Sequence, residues 1–407
     1  MKTQIFYFLM VALFVFSSCE KDKGQTKKEP KQLQLTEKSA AVIQQSNSFG
    51  IELFKKISED EEVNLMFSPL SASSALTMLL NGCNGDTWTQ INTMLGYDGM
   101  TQGEVNQAYI SLIEQLLTVD PEVQLAIANA VFYRQSFEVK THFLDTMQTA
   151  FSSTIESLDF SQPSALATIN GWASDNTNGK IPKVLDEISS DAVMFLMNAL
   201  YFKGSWTYKF DQDQTQDGEF HLEDGTTTTV KMMYGNIPSA TFGSSYFAAI
   251  ELPYGQTNFS MIVMLSNTTL AEMIGNFNVQ DYQAMTEHFD QNAGVIERPV
   301  LMPKFKFSFE KQLNDQLKAL GMMDAFSPRL ADLSGISDAD IYVDFVKQNT
   351  FIEVNEEGTE AAAVTTIGIV ETSMPESFLI NRPFVFAIRE RTTNTMLFIG
   401  KVENPEY

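Results

Sequence analysis

The sequence predicts an α+β fold, in which helices and strands occupy largely separate parts of a single domain. Apolar residues recur at helical spacing through much of the first half of the chain. Short apolar or alternating segments, which are typical of strands, dominate the second half. No polar stretch after residue 40 is long enough to separate two domains, and no internal repeat is visible. Segregated helices and strands in an unbroken chain are typical of an α+β domain.

The helices of the first half are predicted from their apolar spacing and their end signals. In the first helix, Val42, Phe49 and Phe54 recur on one face. The second helix has Ser68 in the capping position and Pro69 at the first helical position. We predict helices at 40–57, 68–80, 88–95, 105–117, 143–151 and 165–174.

The strands are predicted from short apolar runs. The segment VMFLMNALYF at 193–202 is almost continuously apolar, as expected of a strand buried on both faces. Strand patterns also occur at 63–67 and 123–133, and they dominate from residue 220 onward. Helices at 270–277, 279–289 and 311–320 interrupt them. The last two apolar segments, PFVFAIRE and MLFIGKVE, flank the turn RTTNT and predict a terminal hairpin.

The N-terminus is typical of an exported protein. Lys2 precedes an apolar run at 5–16, which is too short to span a membrane and fits the core of a signal peptide. Cys19 follows two serines, as in the cleavage site of a bacterial lipoprotein, although Phe16 departs from the usual aliphatic residue. An ordinary secretory signal with an incidental cysteine is the alternative. We predict a signal peptide at 1–18, a flexible tether at 19–39 and a folded domain at 40–407.

Charge argues against one class of protein, and the cysteine content limits the chemistry that the chain can carry. The formal net charge of −24 argues against nucleic-acid binding, which requires clustered lysine and arginine. Two cysteines occur, Cys19 and Cys83, so a lipidated Cys19 would leave Cys83 as a lone thiol. The interpretation of Cys83 as a small buried residue is favoured over a reactive nucleophile.

Motifs for catalysis or metal binding are missing from the sequence. The three histidines, His142, His221 and His288, are far apart and form no HExxH pattern. No nucleophile elbow and no phosphate-binding loop is present. We therefore expect no metal site, no cofactor and no enzymatic activity.

Five segments in a fixed order resemble the serpins, a family of protease inhibitors, over the chain from residue 40 onward. They are FSPLSASSAL at 67–76, NALYFKGSW at 198–206, FIEVNEEGTEAAA at 351–363, NRPFVFAI at 381–388 and LFIGKVENP at 397–405. The resemblance implies helices packed around three β-sheets, with an exposed reactive-centre loop at about 358–378. It also implies a monomer that forms a covalent complex with a target serine protease.

The hinge of this loop has small side chains on one strand face. Thr359, Ala361, Ala363 and Thr365 alternate with Glu360, Ala362 and Val364, so the only charged residue lies on the other face. A face of small uncharged residues can enter a sheet over a packed core. The hinge predicted from the resemblance comprises Glu356, Glu357, Gly358, Thr359, Glu360, Ala361, Ala362 and Ala363. The family mechanism then implies insertion of about 15 residues, or roughly 50 Å of strand.

The reactive bond is assigned by distance from the hinge. In inhibitory serpins it lies at a nearly fixed spacing after the hinge glycine, which here gives Thr372–Ser373. A small β-branched residue suits an elastase-like or subtilisin-like protease, and no lysine or arginine lies between Gly358 and Arg382. The alternative reactive sites are Ile369, Val370 and Glu371.

Other positions carry over by motif. Ser68, Ser71 and Asn198 match the shutter, where the strands of the central sheet part, and Trp206 matches the breach, where insertion begins. The family often has a histidine eight residues before Glu356, whereas this chain has Gln348. Glutamine both donates and accepts hydrogen bonds, so we include it in the predicted shutter.

Three alternatives to inhibition of serine proteases stay open at this point. They are a non-inhibitory serpin that acts as a binding protein, an inhibitor that also traps cysteine proteases, and a hydrolase without a visible motif. The intact hinge GTEAAAVT favours an inhibitor. The lipoprotein signal predicts attachment to a bacterial outer membrane by the N-terminal lipid, with surface exposure.

Overall fold

Three β-sheets and the helices around them make up a computed structural model that describes residues 29–61, 64–292, 296–359 and 376–407. In these ranges the helices are α1 (Glu37–Asp60), α2 (Pro69–Leu80), α3 (Gly85–Met94), α4 (Gln102–Leu116), α5 (Thr141–Phe151), α6 (Pro163–Asn176), α7 (Leu270–Asn276), α8 (Val279–Asn292) and α9 (Asn314–Ala319). The strands of the first half are β1 (Leu65–Phe67), β2 (Val123–Arg134), β3 (Thr154–Leu158) and β4 (Met194–Ser205). Later strands are β5 (Asp211–His221), β6 (Thr227–Ser239), β7 (Thr241–Gly243), β8 (Phe247–Tyr254), β9 (Phe259–Ser266), β10 (Ile296–Pro303), β11 (Phe305–Gln312), β12 (Lys347–Asn355), β13 (Gly358–Thr359), β14 (Phe378–Leu379), β15 (Phe384–Glu390) and β16 (Thr395–Val402).

The strand order defines the three sheets. The central sheet has the order β11-β12-β13-β4-β2-β3, and a second six-stranded sheet, the core sheet, has the order β1-β16-β15-β9-β8-β7. The third sheet has four strands in the order β14-β10-β6-β5. The predicted α+β class with three sheets is therefore confirmed.

The core sheet is the most deeply buried part of the structure. Every residue of β9, β15 and β16 is buried, and both α1 and α2 pack against β16. The hairpin predicted at the C-terminus is confirmed, since β15 and β16 pair antiparallel from Phe384–Val402 to Glu390–Thr395. Residues of the core sheet lie beneath the central sheet and contact it.

One local prediction was wrong, and strand β5 was missed. The helix predicted at 311–320 covers only α9, because the residues up to Gln312 continue β11 and pair with β12. Strand β5 was not predicted because its sequence DQDQTQDGEF is almost entirely polar. It is the edge strand of the four-stranded sheet, so most of its side chains face water and no apolar pattern is required.

The folded domain begins earlier than the predicted residue 40. Helix α1 starts at Glu37, capped by Thr36, whose side chain accepts a hydrogen bond from the amide of Ser39. Before the helix, Lys31 exchanges two hydrogen bonds with the side chain of Asn258, and Gln34 exchanges two with Gln115. Main-chain groups from 31 to 34 are thus held on the domain, so the predicted tether at 19–39 is too long. None of the helices in the described ranges combines the length and the apolar character needed to cross a bilayer.

Candidate functional site

The central sheet is interrupted between β12 and β4. At one end, Thr359 of β13 pairs with Val354 of β12 and with Gly204 of β4. Further along, no ladder in the described part of the chain joins β12 directly to β4. Strands lie about 4.8 Å apart, so two strands separated by one strand position are about 10 Å apart. We call the space between β4 and β12, from Thr359 toward Met194 and Lys347, the cleft.

The floor of the cleft is apolar. Side chains of both flanking strands line it, including Leu200 and Phe202 of β4 and Ile352 of β12. From below, Met66, Ile388 and Phe398 contribute from the core sheet. An entering strand would therefore meet a hydrophobic surface on its core-facing side.

Gly358 is required at the first position of β13. Its φ of 150° lies in the region that favours glycine. A Cβ atom at this position would lie 2.1 Å from the carbonyl oxygen of Gly204 and 2.7 Å from Cα of Ser205. Both contacts are with main chain that cannot move aside cheaply, so the close approach to β4 depends on the absence of a side chain.

The two glutamates before Gly358 are anchored by opposite charges. Glu356 is buried, accepts a hydrogen bond of 2.7 Å from Thr215 Oγ1 and lies 3.2 Å from Lys304 Nζ. Burial opposes its ionisation, but its own backbone amide, Thr215 and Lys304 together hold the pKa of Glu356 below its usual value. Glu357 forms an ion pair with Lys209. The hinge is therefore fixed at its base by side chains from β5 and from the connections after β4 and β10.

Trp206 ties the end of β4 to the same hinge residues. Its indole Nε1 donates to the carbonyl of Asn355 (2.9 Å), and its backbone amide donates to the carbonyl of Glu357 (2.9 Å). The ring stacks on Tyr254 with centroids 4.3 Å apart. The hydroxyl of Tyr254 shares a hydrogen bond of 2.7 Å with Thr359 Oγ1. The residue predicted as the breach thus lies where β13 enters the central sheet.

Ser68, Ser71 and Gln348 are brought together at the start of α2. The hydroxyl of Ser68 accepts a hydrogen bond from the amide of Ser71 (3.0 Å), as the capping signal predicted. The side chain of Gln348 on β12 accepts from the amide of Ser68 (2.8 Å) and donates to its carbonyl (3.2 Å). Gln348 therefore connects β12 to α2 through both ends of its amide group.

Asn198, the fourth predicted shutter residue, lies on β4 and does not join this group. Its Nδ2 donates to Asn129 Oδ1 on β2 at 2.7 Å. Its Oδ1 is buried and has no hydrogen-bond partner in the described part of the chain. A buried acceptor left unpaired costs about 1–3 kcal/mol, so a donor brought to this atom would be stabilising.

Part of the predicted site lies outside the described residues. This applies to Glu360, Ala361, Ala362 and Ala363 of the hinge, to the bond Thr372–Ser373, to Ile369, Val370 and Glu371, and to Cys19. Cys83 is free and buried, and burial raises the pKa of its thiol. No group of three or more metal-ligating side chains occurs within the ranges that the structure covers.

Sequence reasoning missed the partners of the hinge. Lys304 lies on the strand connection after β10, Thr215 on β5 and Tyr254 at the end of β8, all far from the hinge in sequence. None has a local motif that marks it, because each acquires its role only when the sheets are assembled.

Comparison with known proteins decides the family. A family model described as serpin (serine protease inhibitor) matches residues 44–405. The chain belongs to the serpin family. Leukocyte elastase inhibitors from Sus scrofa and Xenopus tropicalis are 33% and 34% identical to this serpin over 371 and 368 residues. These matches cover 88% of this chain and 97% of each relative.

Solved serpin structures match the fold of the whole domain. Tengpin, a thermophilic serpin, superposes in its native state with a TM-score of 0.82 at 30% identity, covering 93% of this chain and 97% of tengpin. The latent state of tengpin gives a TM-score of 0.79, covering 92% of this chain and 100% of that one. The serpin fold predicted from the five motifs is thus confirmed.

The expectation about enzymatic activity needs correction. That expectation was drawn from the catalytic motifs that the sequence lacks, whereas the family match describes the chain by what the family does, inhibition of serine proteases. The family match and the curated relatives describe protease inhibitors and do not point to a catalytic activity.

Proposed function

We propose that this serpin inhibits elastase-like or subtilisin-like serine proteases as a suicide substrate. The observation that carries the proposal is β13: the hinge residues Gly358 and Thr359 already occupy a strand position between β12 and β4. The names of the leukocyte elastase inhibitors similar to this chain support the protease class.

The reaction begins at the bond Thr372–Ser373. The serine oxygen of the protease attacks the carbonyl carbon of Thr372, and the bond to the nitrogen of Ser373 breaks. The nitrogen leaves as an amine with a proton from the catalytic histidine of the protease, and Thr372 is held as an ester. The new end at Thr372 is free to move with the protease attached.

Insertion then extends β13 into the cleft. In the register set by Thr359, residue 365 of the inserted strand would lie between Gln348 and Asn198. Its side chain would face the core, as that of Thr359 does, and the hydroxyl of Thr365 can donate to the unpaired Oδ1 of Asn198. Each backbone hydrogen bond gained with β4 or β12 contributes about 0.5–1.5 kcal/mol. The free energy gained from the hydrogen bonds of a full strand opposes the return of the protease to its starting position.

One incubation with pancreatic elastase tests this proposal. We expect a complex that survives denaturing electrophoresis and release of the peptide that begins at Ser373, identified by mass spectrometry. The matched variant Thr372→Arg should lose the elastase complex and form one with trypsin, whose pocket requires a cation. Cleavage only outside 369–373 contradicts the assigned bond, and a cleaved product without complex supports a non-inhibitory serpin.

We also propose that Cys19 carries lipid and that the protein is a surface-exposed lipoprotein of a bacterial outer membrane. The apolar run at 5–16 and the serines before Cys19 support this proposal. Labelling with a fatty-acid analogue should mark the wild type but not Cys19→Ser, whereas Cys83→Ser, the control, keeps the label. Unlabelled wild-type protein in the cytoplasm would contradict it.

A further inference from the structure

The first residues of the folded domain bind the turn between β8 and β9. The amide of Lys31 donates to Asn258 Oδ1 (2.9 Å), and Asn258 Nδ2 donates to the carbonyl of Lys31 (2.8 Å). Close by, the amide of Leu33 donates to Thr392 Oγ1, in the turn between β15 and β16 (3.3 Å). We call residues 31–34 the strap. Because main-chain groups of the strap make these bonds, the place where the chain joins the domain is defined.

The turn that holds the strap also contacts the end of β4, beside the hinge. The amide of Gly255 donates to the carbonyl of Ser205 (2.8 Å), and Thr207 Oγ1 donates to the carbonyl of Gly255 (3.0 Å). Ser205 in turn pairs with Gly358 of β13. A single turn therefore separates the strap from the hinge. We call this end of the central sheet, where β13 enters, the hinge end.

The second attachment of the strap gives the same placement. The amide of Gln34 donates to Gln115 Oε1 (2.7 Å), and Gln115 Nε2 donates to the carbonyl of Gln34 (3.0 Å). Gln115 lies in the last turn of α4, which leads into β2, and Val123 at the start of β2 pairs with Gly204 at the hinge end. Strand β2 has 12 residues. At about 3.3 Å per residue, the far end of the sheet lies roughly 36 Å away.

We propose that the strap holds the hinge end of the domain toward the membrane when Cys19 carries lipid, so that the reactive loop is presented at the bilayer surface. This inference rests on the proposed function, since it requires both the lipid at Cys19 and cleavage of the loop. From Cys19 to Glu29 the chain advances by ten residues. Fully extended, such a segment spans at most about 36 Å. The anchored end of the domain is thus the end at which Thr359 leads into the loop.

The charge distribution along the chain favours the same orientation. Residues 19–31 contain five lysines and three acidic residues, a net charge of +2. Residues 32–407 contain 21 basic and 48 acidic residues, a net charge of −27. An anionic bilayer attracts lysines near its surface and repels an acidic domain. The segment before the strap is therefore drawn to the surface, while the rest of the domain is directed away from it.

This orientation restricts how a protease reaches the reactive bond. A protease of about 230 residues has a radius of gyration of about 17 Å and thus a diameter of about 45 Å. That diameter exceeds the reach of about 36 Å between lipid and domain, so the domain must tilt before the protease can attack. Thirteen residues separate Thr359 from Thr372, so insertion moves the attached protease by roughly 43 Å along the cleft. The movement is directed away from the bilayer.

Fluorescence energy transfer in vesicles tests the orientation without a protease. The full lipidated chain with Cys83→Ser is placed in vesicles of phosphatidylethanolamine and phosphatidylglycerol that contain an acceptor lipid. A donor dye is attached at Thr118→Cys, before β2, or at Ser136→Cys, after β2, and both positions are exposed. We expect transfer at least about threefold more efficient from position 118, as roughly 36 Å of strand between the two positions implies. Equal transfer, or more from position 136, would overturn the orientation.

Two variants test the strap itself. Asn258→Ala combined with Gln115→Ala removes the side chains that make four hydrogen bonds with the strap. The released strap lengthens the connection to the lipid, so the difference in transfer between positions 118 and 136 should decrease. Asn276→Ala is the control, because this exposed amide bonds only within its own helix and its connection. An undiminished difference in the double variant would overturn the role of the strap.

The rate of complex formation with elastase tests the consequence. We expect wild type in vesicles to react about three- to tenfold more slowly than Cys19→Ser in solution, because fewer directions of approach are open. Insertion of about twenty Gly-Ser residues after Gly24 should restore the rate, since the connection is then longer than the protease is wide. Equal rates for the normal and the lengthened connection would overturn presentation at the bilayer. Absence of a complex with Cys19→Ser would instead overturn inhibition, and wild type that does not bind vesicles would overturn lipidation.

Discussion

Gln348 and Asn198 face each other across the cleft. Val354 and Gly204 are linked through Thr359, and six residues further along each strand Gln348 and Asn198 occupy a common level. The ladders β11–β12 and β2–β4 are regular over these residues, so no bulge changes the relationship. The two amides are bound to other partners, Gln348 to Ser68 and Asn198 to Asn129.

Gln348→His should make stability depend on pH in a range where the wild-type side chain does not titrate. A histidine that accepts the amide hydrogen of Ser68 must be neutral, so its pKa in the folded state falls below the unfolded value of about 6.5. The stabilising contact is then present above that pH and is lost as the pH falls through the folded pKa. Urea unfolding between pH 5 and 8 measures this difference. If the free energy of unfolding of the variant follows that of the wild type at every pH, the side chain at position 348 does not need to accept a hydrogen bond from the amide of Ser68.

Gly358→Ala should block entry of the hinge. The added methyl group meets the main chain of Gly204 and Ser205, and we expect a cost of about 2 kcal/mol or more for a strand in this position. The variant should be cleaved by elastase as a substrate, with many molecules consumed for each protease inhibited. Gly225→Ala is the control, since it has a φ of 82° but no neighbouring atom within 4 Å of the added Cβ. Unchanged stoichiometry for Gly358→Ala would rule out the steric argument.

Glu356→Gln should make the free energy of unfolding depend less on pH in the acid range. The folded-state pKa of Glu356 is lowered, so its contribution is present above the unfolded value of about 4.3 and is lost as the pH falls through the folded pKa. Charged hydrogen bonds of this kind contribute about 1.5–3 kcal/mol near neutral pH. Chemical denaturation from pH 3 to 7 checks the slope, with Glu187→Gln, an exposed residue, as control. The idea fails if both variants keep the wild-type slope.

Glu251→Gln should destabilise the core sheet strongly. Arg389 is fully buried on β15, and its guanidinium Nη2 lies 2.6 Å from Glu251 Oε1 and 2.7 Å from Asp290 Oδ1. Loss of one partner of a buried charge typically costs about 3–5 kcal/mol. By contrast, Asp217→Asn breaks the exposed pair with Lys231 and should cost about 1 kcal/mol or less. Thermal unfolding compares the two variants. Similar midpoints would show that the buried pair of Arg389 and Glu251 does not stabilise the protein more than the exposed pair does.

The elements with local signals could be predicted from the sequence. Ser68 and Pro69 predict the start of α2, and the apolar run at 193–202 predicts β4. Strand β5 lacks such a signal, because an edge strand with exposed faces can be polar. The hinge glycine could be recognised from the motif, but the reason why this position requires glycine could not. The clash of a side chain with Gly204 exists only once β13 lies against β4.

The pairings of the site could not be predicted from spacing along the chain. Glu356 meets Thr215 and Lys304 through the packing of separate sheets. The opposition of Gln348 and Asn198 depends on the register of three strands, which no local pattern determines. The motifs identified these residues as a group, and only the assembled sheet shows that Gln348 and Asn198 occupy opposite sides of the cleft.

In the proposed mechanism, the cleft receives the hinge as an additional strand. The most direct measurement compares thermal unfolding of the intact protein with that of protein cut once between 369 and 373. We expect a large upward shift of the midpoint after cleavage, because the freed segment completes the hydrogen bonds between β4 and β12. An unchanged or lower midpoint would show that no strand enters.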